Sequence, residues 1–262
     1  MQAVQTQAEI IRRETVARST LLLELRAKDL FSAGRPEPGQ FVMLGPLKGD
    51  STDPFLNRPF SIHRLSGSDR LELLIAVVGR GTRIIGTLEP GQRLSLLGPL
   101  GNGFSLPDPK RPALLVAGGL GVAPLFFLAE ELCSQGARPR LLYGAGSVDL
   151  LVPTDGLQAQ GGSVKLATDD GSAGFHGFVS GLLEEEPEEP GAYLAACGPM
   201  EMLKAVADVA ESRKLELEVS LESRMACGLG ACLGCTVFLP GGANRRVCCD
   251  GPVFLAREVF GP

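Results

Sequence analysis

Five of the chain's seven cysteines fall between residues 227 and 249. Their spacing is Cys227-x4-Cys232-x2-Cys235, then twelve residues, then Cys248 with Cys249 beside it. The N-terminal stretch "MQAVQTQAEIIRRET" lacks the apolar run of a secretion signal, so a reducing, cytoplasmic setting is expected. There, crowded thiols serve metal or redox chemistry more often than disulfides. A zinc site would usually pair its ligands as two short, separated knuckles. Three closely spaced cysteines followed by a distant fourth instead match the plant-type [2Fe–2S] spacing. Gly228, Gly230, Ala231 and Gly234 fit that reading, because small residues let backbone N–H groups approach cluster sulfurs. A four-cysteine zinc knuckle and free buried cysteines are the competing readings, and spacing alone leaves Cys248 and Cys249 both open as the fourth ligand.

A cluster that passes electrons needs a scaffold and a redox partner. The 262-residue chain is long enough for two compact domains, with 44% hydrophobic and 21% charged residues. Its net charge of −5 gives no electrostatic support for nucleic-acid binding. The longest apolar run, "ALLVAGGLGVAPLFFLA", is broken by Gly and Pro and falls short of a membrane span of about 20 residues.

The first hundred residues alternate short Leu/Val/Ile/Phe runs ("AEIIRRETVA", "TLLLELRA", "QFVMLG", "RPFSIHRL", "LELLIAVVG", "QRLSLLG") with turn clusters such as "SAGRPEPG", "KGDSTDP" and "LEPG". Six strands with one helical stretch, "GTRIIGTL", predict a closed antiparallel barrel over 1–106. Beyond the Pro-rich hinge "LPDPKRP", strands and helices alternate. That rhythm predicts a doubly wound parallel sheet over 107–219, with one helical stretch near 148–160. Residues 220–262 are too few for a core of their own and are expected to need a metal to order them.

Two glycine-rich turns in the second unit point to a dinucleotide. "AGGLGVAP" (117–124) follows a strand and opens a helix, presenting Gly119 and Gly121 where phosphates could approach. The alternative is a tight strand–helix turn with no ligand. "ACGPM" (196–200), with Cys197 and Gly198, repeats that setting later in the sheet, although a lone Cys is commonly core. "TDDGS" (168–172) follows another strand. After "RLLYGAGS" no Arg or Lys is available for a 2′-phosphate, while Asp149 is near, which favours NAD over NADP.

In the barrel, "LNRPFSIH" resembles the R-x-x-S flavin motif of the ferredoxin-reductase-like family. The resemblance implies that Arg58 pairs with the FAD pyrophosphate and that Pro59, Phe60 and Ser61 line the flavin. It further implies contacts from Ile75, Ala76 and Val77, and pyrophosphate binding by the amides of Gly81 and Thr82. "SLESRMACGLGACLGC" and "RRVCCDGPVF" narrow this to the electron-transfer subunits of NAD-dependent (class 1B) dihydroorotate dehydrogenase, over essentially the whole chain. In that family an acidic residue follows the fourth ligand. Cys249 stands in its place here, so by register Cys248 joins Cys227, Cys232 and Cys235 as ligand.

This resemblance implies an oxidoreductase subunit of pyrimidine biosynthesis. Electrons from an FMN-containing catalytic subunit would pass through [2Fe–2S] and FAD to NAD+ in a heterotetramer of two of each chain. The loop and the tail "GPVFLAREVF" are the expected partner face. No acid–base dyad is evident, so no catalytic side chain is assigned. The alternatives are a reductase component of hydrogenase, sulfide-dehydrogenase or oxygenase type serving another partner, and a zinc-stabilised flavin or nucleotide module without electron transfer.

Overall fold

The computed structural model describes residues 3–32, 34–46 and 56–261. The turn "KGDSTDP" and Ala33 of "SAGRPEPG" lie outside them. Six antiparallel strands close into a barrel: β1 (Val4–Ala17), β2 (Thr20–Arg26), β3 (Phe41–Pro46), β4 (Arg58–Ser66), β5 (Arg70–Ala76) and β6 (Arg93–Leu100), in the order β1-β2-β5-β4-β3-β6. Leu23, Leu25, Val42, Leu44, Ile62, Leu73, Leu94 and Leu96 fill it, all fully buried. Each such side chain stabilises the fold by about 1.5–3 kcal/mol relative to exposure. Helices α1 (Lys28–Ser32) and α2 (Arg80–Gly86) are the barrel's helical insertions, and the sequence reading missed α1.

The second unit runs β7 (Ala113–Gly118), α3 (Val122–Ser134), β8 (Arg140–Ala145), α4 (Asp155–Ala159), β9 (Ser163–Thr168), β10 (Phe175–His176), α5 (Val179–Glu185), β11 (Tyr193–Cys197), α6 (Met200–Ser212) and β12 (Leu217–Ser220). The sheet order is β10-β9-β8-β7-β11-β12, with parallel pairing throughout. Chain direction across the sheet therefore reverses between β7 and β11. The expected helix over 148–160 is instead a 3-10 turn at Val148–Leu150 and the separate α4. Pro153 disfavours helical geometry at Val152, whose N–H donates to the Tyr143 hydroxyl at 3.1 Å.

Helix α3 is buried on both sides, against the sheet and against β4 of the barrel. Arg64 of β4 grips Glu130 of α3 with two nitrogens, Nε lying 2.9 Å from Oε2, and Arg35 pairs with Glu131 at 2.8 Å. Between them the His63 ring packs on Phe126, centroids 4.9 Å apart. These contacts fix the barrel against the sheet.

The C-terminal segment adds a hairpin, β13 (Thr236–Phe238) and β14 (Asn244–Arg246), then β15 (Val253–Leu255) and α7 (Ala256–Phe260). Strand β15 pairs antiparallel with β12, making it the sheet's edge. Cys235, Val247, Cys248, Phe254 and Ala256 share one core with Val116, Leu194 and Val219. The segment thus borrows the sheet's core rather than building its own. For the same reason the tail "GPVFLAREVF" is not simply an apolar face, since Phe254 and Ala256 turn inward.

Candidate functional site

The cysteine loop follows directly from β12. Left-handed backbone at Gly228, Gly230 and Leu233 folds residues 227–235 back on themselves. A side chain at Gly228 would collide with Met43 of β3 (2.8 Å) and Leu100 of β6 (3.0 Å), so the loop lies directly on the barrel. The thiols stand in pairs. The Cys235 thiol donates to Cys248 Sγ at 3.2 Å, and Cys232 hydrogen-bonds Cys227. Among the described residues no three Cys, His, Asp or Glu side chains converge as ligands of a single metal ion would. Backbone amides point at the sulfurs, Leu229 N–H to Cys227 Sγ at 3.3 Å and Gly230 N–H to Cys248 Sγ at 3.2 Å. Burial raises the Cys227 thiol, but hydrogen bonds from Leu229, Cys232 and Ala231 together outweigh it and pull the thiol down to about 7, toward the thiolate that binds metal. Four thiols in two pairs, with amides aimed at sulfur, fit a two-iron cluster. Cys249 Sγ lies 3.6 Å from Cys248 Sγ, at the edge of this group.

The barrel brings the expected flavin residues together in part. Arg58, at the start of β4, lays its guanidinium over Gly81 in the first turn of α2. The Thr82 hydroxyl accepts from the amides of Val78 and Gly79 at 3.1 Å each, so it shapes the turn and has little left for a ligand. Pro59, Phe60 and Ser61 follow on β4, half-buried, opposite Met43, Val42 and Phe41. Ile75 points into the barrel core and can offer a ligand only its backbone. Ala76 and Val77 are half-buried, and the wall they continue includes the exposed side chain of Val78.

A cavity of about 610 Å³ opens where β7, β8 and β9 end, bounded on its far side by the barrel's Thr20, Ala76 and Val78. Ligands of open α/β sheets occupy such a crevice at the strand-order reversal. Gly119 lines it with φ +54 and nothing within 4 Å of a notional side chain, leaving room for a ligand against the backbone. Gly121 is glycine for another reason. A Cβ there would lie 2.0 Å from the Cys197 carbonyl oxygen and 2.8 Å from the Gly198 nitrogen. The two glycine-rich turns are therefore packed against each other. The Cys197 thiol is buried, which raises its pKa, and it bonds Ser220, leaving backbone as its exposed contribution. The sequence reading missed Arg18, Ser19 and Phe178 on the cavity wall, since none sits in a motif.

Comparison with known proteins shows the family to which the chain belongs. The iron-sulfur cluster binding domain of dihydroorotate dehydrogenase B matches residues 222–260. The electron transfer subunit of dihydroorotate dehydrogenase B (NAD(+)) from Desulforamulus reducens is 38% identical over 257 residues, covering 96% of this chain and 97% of the relative. The subunit of the same name from Listeria monocytogenes is 38% identical, covering 98% and 99%. This chain belongs to that family of electron-transfer subunits. It is thus a component of an oxidoreductase, and its fold is that of the ferredoxin-reductase group. An NADH-dependent reduced ferredoxin-NADP oxidoreductase superposes with a TM-score of 0.82 at 25% identity, over 96% of this chain and 89% of its own. A Neisseria gonorrhoeae ferredoxin NADP+ reductase, solved with FAD and NADP, superposes at 0.66 and 19% identity, over 80% and 91%.

Family membership gives the three sites one context. The cysteine loop touches the barrel through Gly228, the segment that carries it joins the sheet through β15, and the cavity lies between barrel and sheet. Among the described residues no helix is long and apolar enough to cross a membrane.

Proposed function

We propose that this chain takes electrons from an FMN-containing dihydroorotate dehydrogenase subunit and delivers them to NAD+, in a cytoplasmic heterotetramer of two copies of each chain. The division of labour follows three segments: 1–106 for FAD, 107–219 for NAD and 220–262 for a [2Fe–2S] cluster. Cys227, Cys232, Cys235 and Cys248 hold the cluster, with the Leu229 and Gly230 amides supporting its sulfurs. Arg58 and the amides of Gly81 and Thr82 hold the FAD pyrophosphate, and Pro59, Phe60, Ser61, Ala76 and Val77 line the flavin, with the backbone of Ile75 beside them. Gly119 admits the dinucleotide phosphates, Gly121 keeps the two turns in contact, and the Cys197–Gly198 backbone borders the reacting end. When bound, these groups supply one-electron and hydride chemistry in a single chain. The residues' own work is to bind, orient and exclude water; no side chain is assigned a proton transfer.

The observation that carries this reading is the seating of the paired thiols on the barrel wall, through Gly228 against Met43 and Leu100. Short separation between redox groups is what electron transfer requires, and this loop can meet a partner on its outer side. The test is reconstitution. The purified chain should oxidise NADH with an artificial acceptor and show no dihydroorotate oxidation. Adding the catalytic subunit should create dihydroorotate:NAD+ activity. Dihydroorotate turnover by the chain alone, or no association with such a subunit, would overturn the reading.

A further inference from the structure

The cysteine loop meets a cation as well as its own thiols. Arg246 ends β14, just before Cys248. Its backbone N–H and its Nε both donate to Asp250 Oδ2, at 2.7 and 3.1 Å, and Nη2 donates to Oδ1 at 3.0 Å. The Cys249 and Asp250 amides return to the Arg246 carbonyl at 3.1 and 2.8 Å. Residues 246–250 thus close on themselves, with the two adjacent cysteines inside the turn. The remaining edge of the guanidinium faces the first half of the loop, where Nη1 lies 3.5 Å from the Gly230 carbonyl oxygen. A side chain at Gly230 would meet Cys249 Sγ at 2.8 Å and Arg246 Nη1 at 2.9 Å. Arg246 and Cys249 therefore converge on Gly230, whose own N–H donates to Cys248 Sγ.

The side chains of Arg246 and Asp250 are 41% and 28% exposed, and an ion pair so open to water adds little to stability. Shaping the turn needs only the Asp250 carboxylate accepting from the backbone N–H of residue 246, a bond that most side chains at 246 would leave in place. It does not need a guanidinium over Gly230. That group is charged at any working pH. The potential of an iron–sulfur cluster follows its net charge and the hydrogen bonds to its sulfurs. Arg246 bears on both. Its charge lies beside the Cys248–Cys249 sulfurs, and its Nη1 steadies the glycine whose amide reaches Cys248.

Resting on the reading of Cys227, Cys232, Cys235 and Cys248 as ligands of a [2Fe–2S] cluster, we propose that Arg246 is a positioning residue that raises the reduction potential of that site, with Asp250 setting how far. Reduction there adds one electron, with no bond made or broken, and a fixed cation beside the sulfurs stabilises the added negative charge. Asp250 compensates part of the Arg246 charge while it aims the free edge of the guanidinium at Gly230. The pair thereby favours electron entry from the catalytic subunit without either residue being a ligand.

The test is an anaerobic redox titration of the full cluster- and flavin-loaded chain, followed by the electron paramagnetic resonance signal of the reduced cluster. Arg246→Gln keeps amide donors but removes the charge. It should lower the reduced-to-oxidised ratio at a fixed potential by about tenfold, which is about 59 mV for a one-electron couple and the scale of one partly screened charge near the site. Arg246→Lys should stay within about threefold of wild type. Asp250→Asn keeps an acceptor and leaves the guanidinium charge uncompensated, so it should move the ratio upward. A ratio in Arg246→Gln within about twofold of wild type overturns the proposal. So does a fall in all three variants, the result that distortion of the loop alone would give. If Arg246→Gln loses its iron, the other two variants decide by the same expectations, and loss of iron from all three makes the pair a scaffold only and overturns the proposal. A wild-type chain that never develops the signal overturns the cluster reading itself.

Discussion

The guanidinium of Arg58 lies across the backbone of Gly81, so close that a methyl group on Gly81 would sit 2.4 Å from Nε and 2.5 Å from Cζ. One residue is at the head of a strand and the other opens a helix after the next strand, yet the barrel stacks them. A planar cation beside helix amides is suited to a pyrophosphate. Gly81 thus matters for the room it leaves, and its helical backbone would accept alanine.

Two substitutions separate charge from placement. Arg58→Ala should weaken FAD retention by about 1.5–3 kcal/mol, the worth of a charge-assisted hydrogen bond. Gly81→Ala, which leaves the charge but pushes the guanidinium aside, should produce a smaller loss in the same direction. Fluorescence titration of the apoprotein with FAD measures both, and unchanged affinity in Arg58→Ala would place the pyrophosphate elsewhere.

The cluster ligands are tested by colour and iron content. Alanine at Cys227, Cys232, Cys235 or Cys248 should abolish the visible absorbance and the acid-labile sulfide, whereas Cys249→Ala should retain both. Cys248 is the one of the neighbouring pair that receives the Gly230 amide and bonds Cys235. Retained iron in Cys248→Ala with loss in Cys249→Ala would reverse the assignment.

These sites differed in how far the sequence revealed them. The cysteine spacing was readable because three ligands lie within one short loop. The barrel and the alternating sheet were readable from period-two apolar runs and turn clusters. Gly121 was read as phosphate-facing, but its reason for being glycine is the Cys197 carbonyl, a contact between turns far apart in sequence. Arg18 carries no motif at all, because an Arg in a hairpin turn is normally solvent-facing, and only the fold brings it to the cavity wall and to Asp149. Strand β15 was missed because three apolar residues after a cysteine loop show no period, and only the open edge of β12 makes them a strand.

His63 gives a pH-dependent prediction. Burial, reinforced by the Arg64 charge, lowers its pKa to about 4, and its Nδ1 has no hydrogen-bond partner. In the unfolded chain a histidine titrates near 6.5. Between those values the unfolded state binds a proton that the native state refuses, so this contribution is intact above pH 6.5 and lost as pH falls toward 4. From pH 7 to pH 5 the loss should be about 2 kcal/mol. Urea unfolding of wild type and His63→Leu at both pH values should show their stability difference moving in favour of the variant at pH 5 by about that amount. Parallel pH dependences would show that His63 takes up its proton over the same pH range folded and unfolded, so that burial does not lower its pKa.

The last prediction concerns where electrons enter. With Phe254 and Ala256 turned into the core, the apolar surface of the C-terminal segment is carried by Leu229, Leu233 and Phe238. Phe238 is 82% exposed on β13, in the hairpin that joins the third proposed ligand to the fourth. A large aromatic side chain left in water on so small a hairpin contributes nothing to the fold it stands on, whereas buried aromatics commonly anchor interfaces. The catalytic subunit is the occupant that this position fits, because whatever covers Phe238 also comes close to the cysteine loop. Phe238→Ser should weaken association with that subunit by about 2 kcal/mol or more, the range of an interface hot spot. The same variant should keep its visible cluster spectrum and its NADH:dye activity. Association measured by calorimetry or by light scattering decides the matter, and an unchanged Kd would move the electron-entry face away from the hairpin.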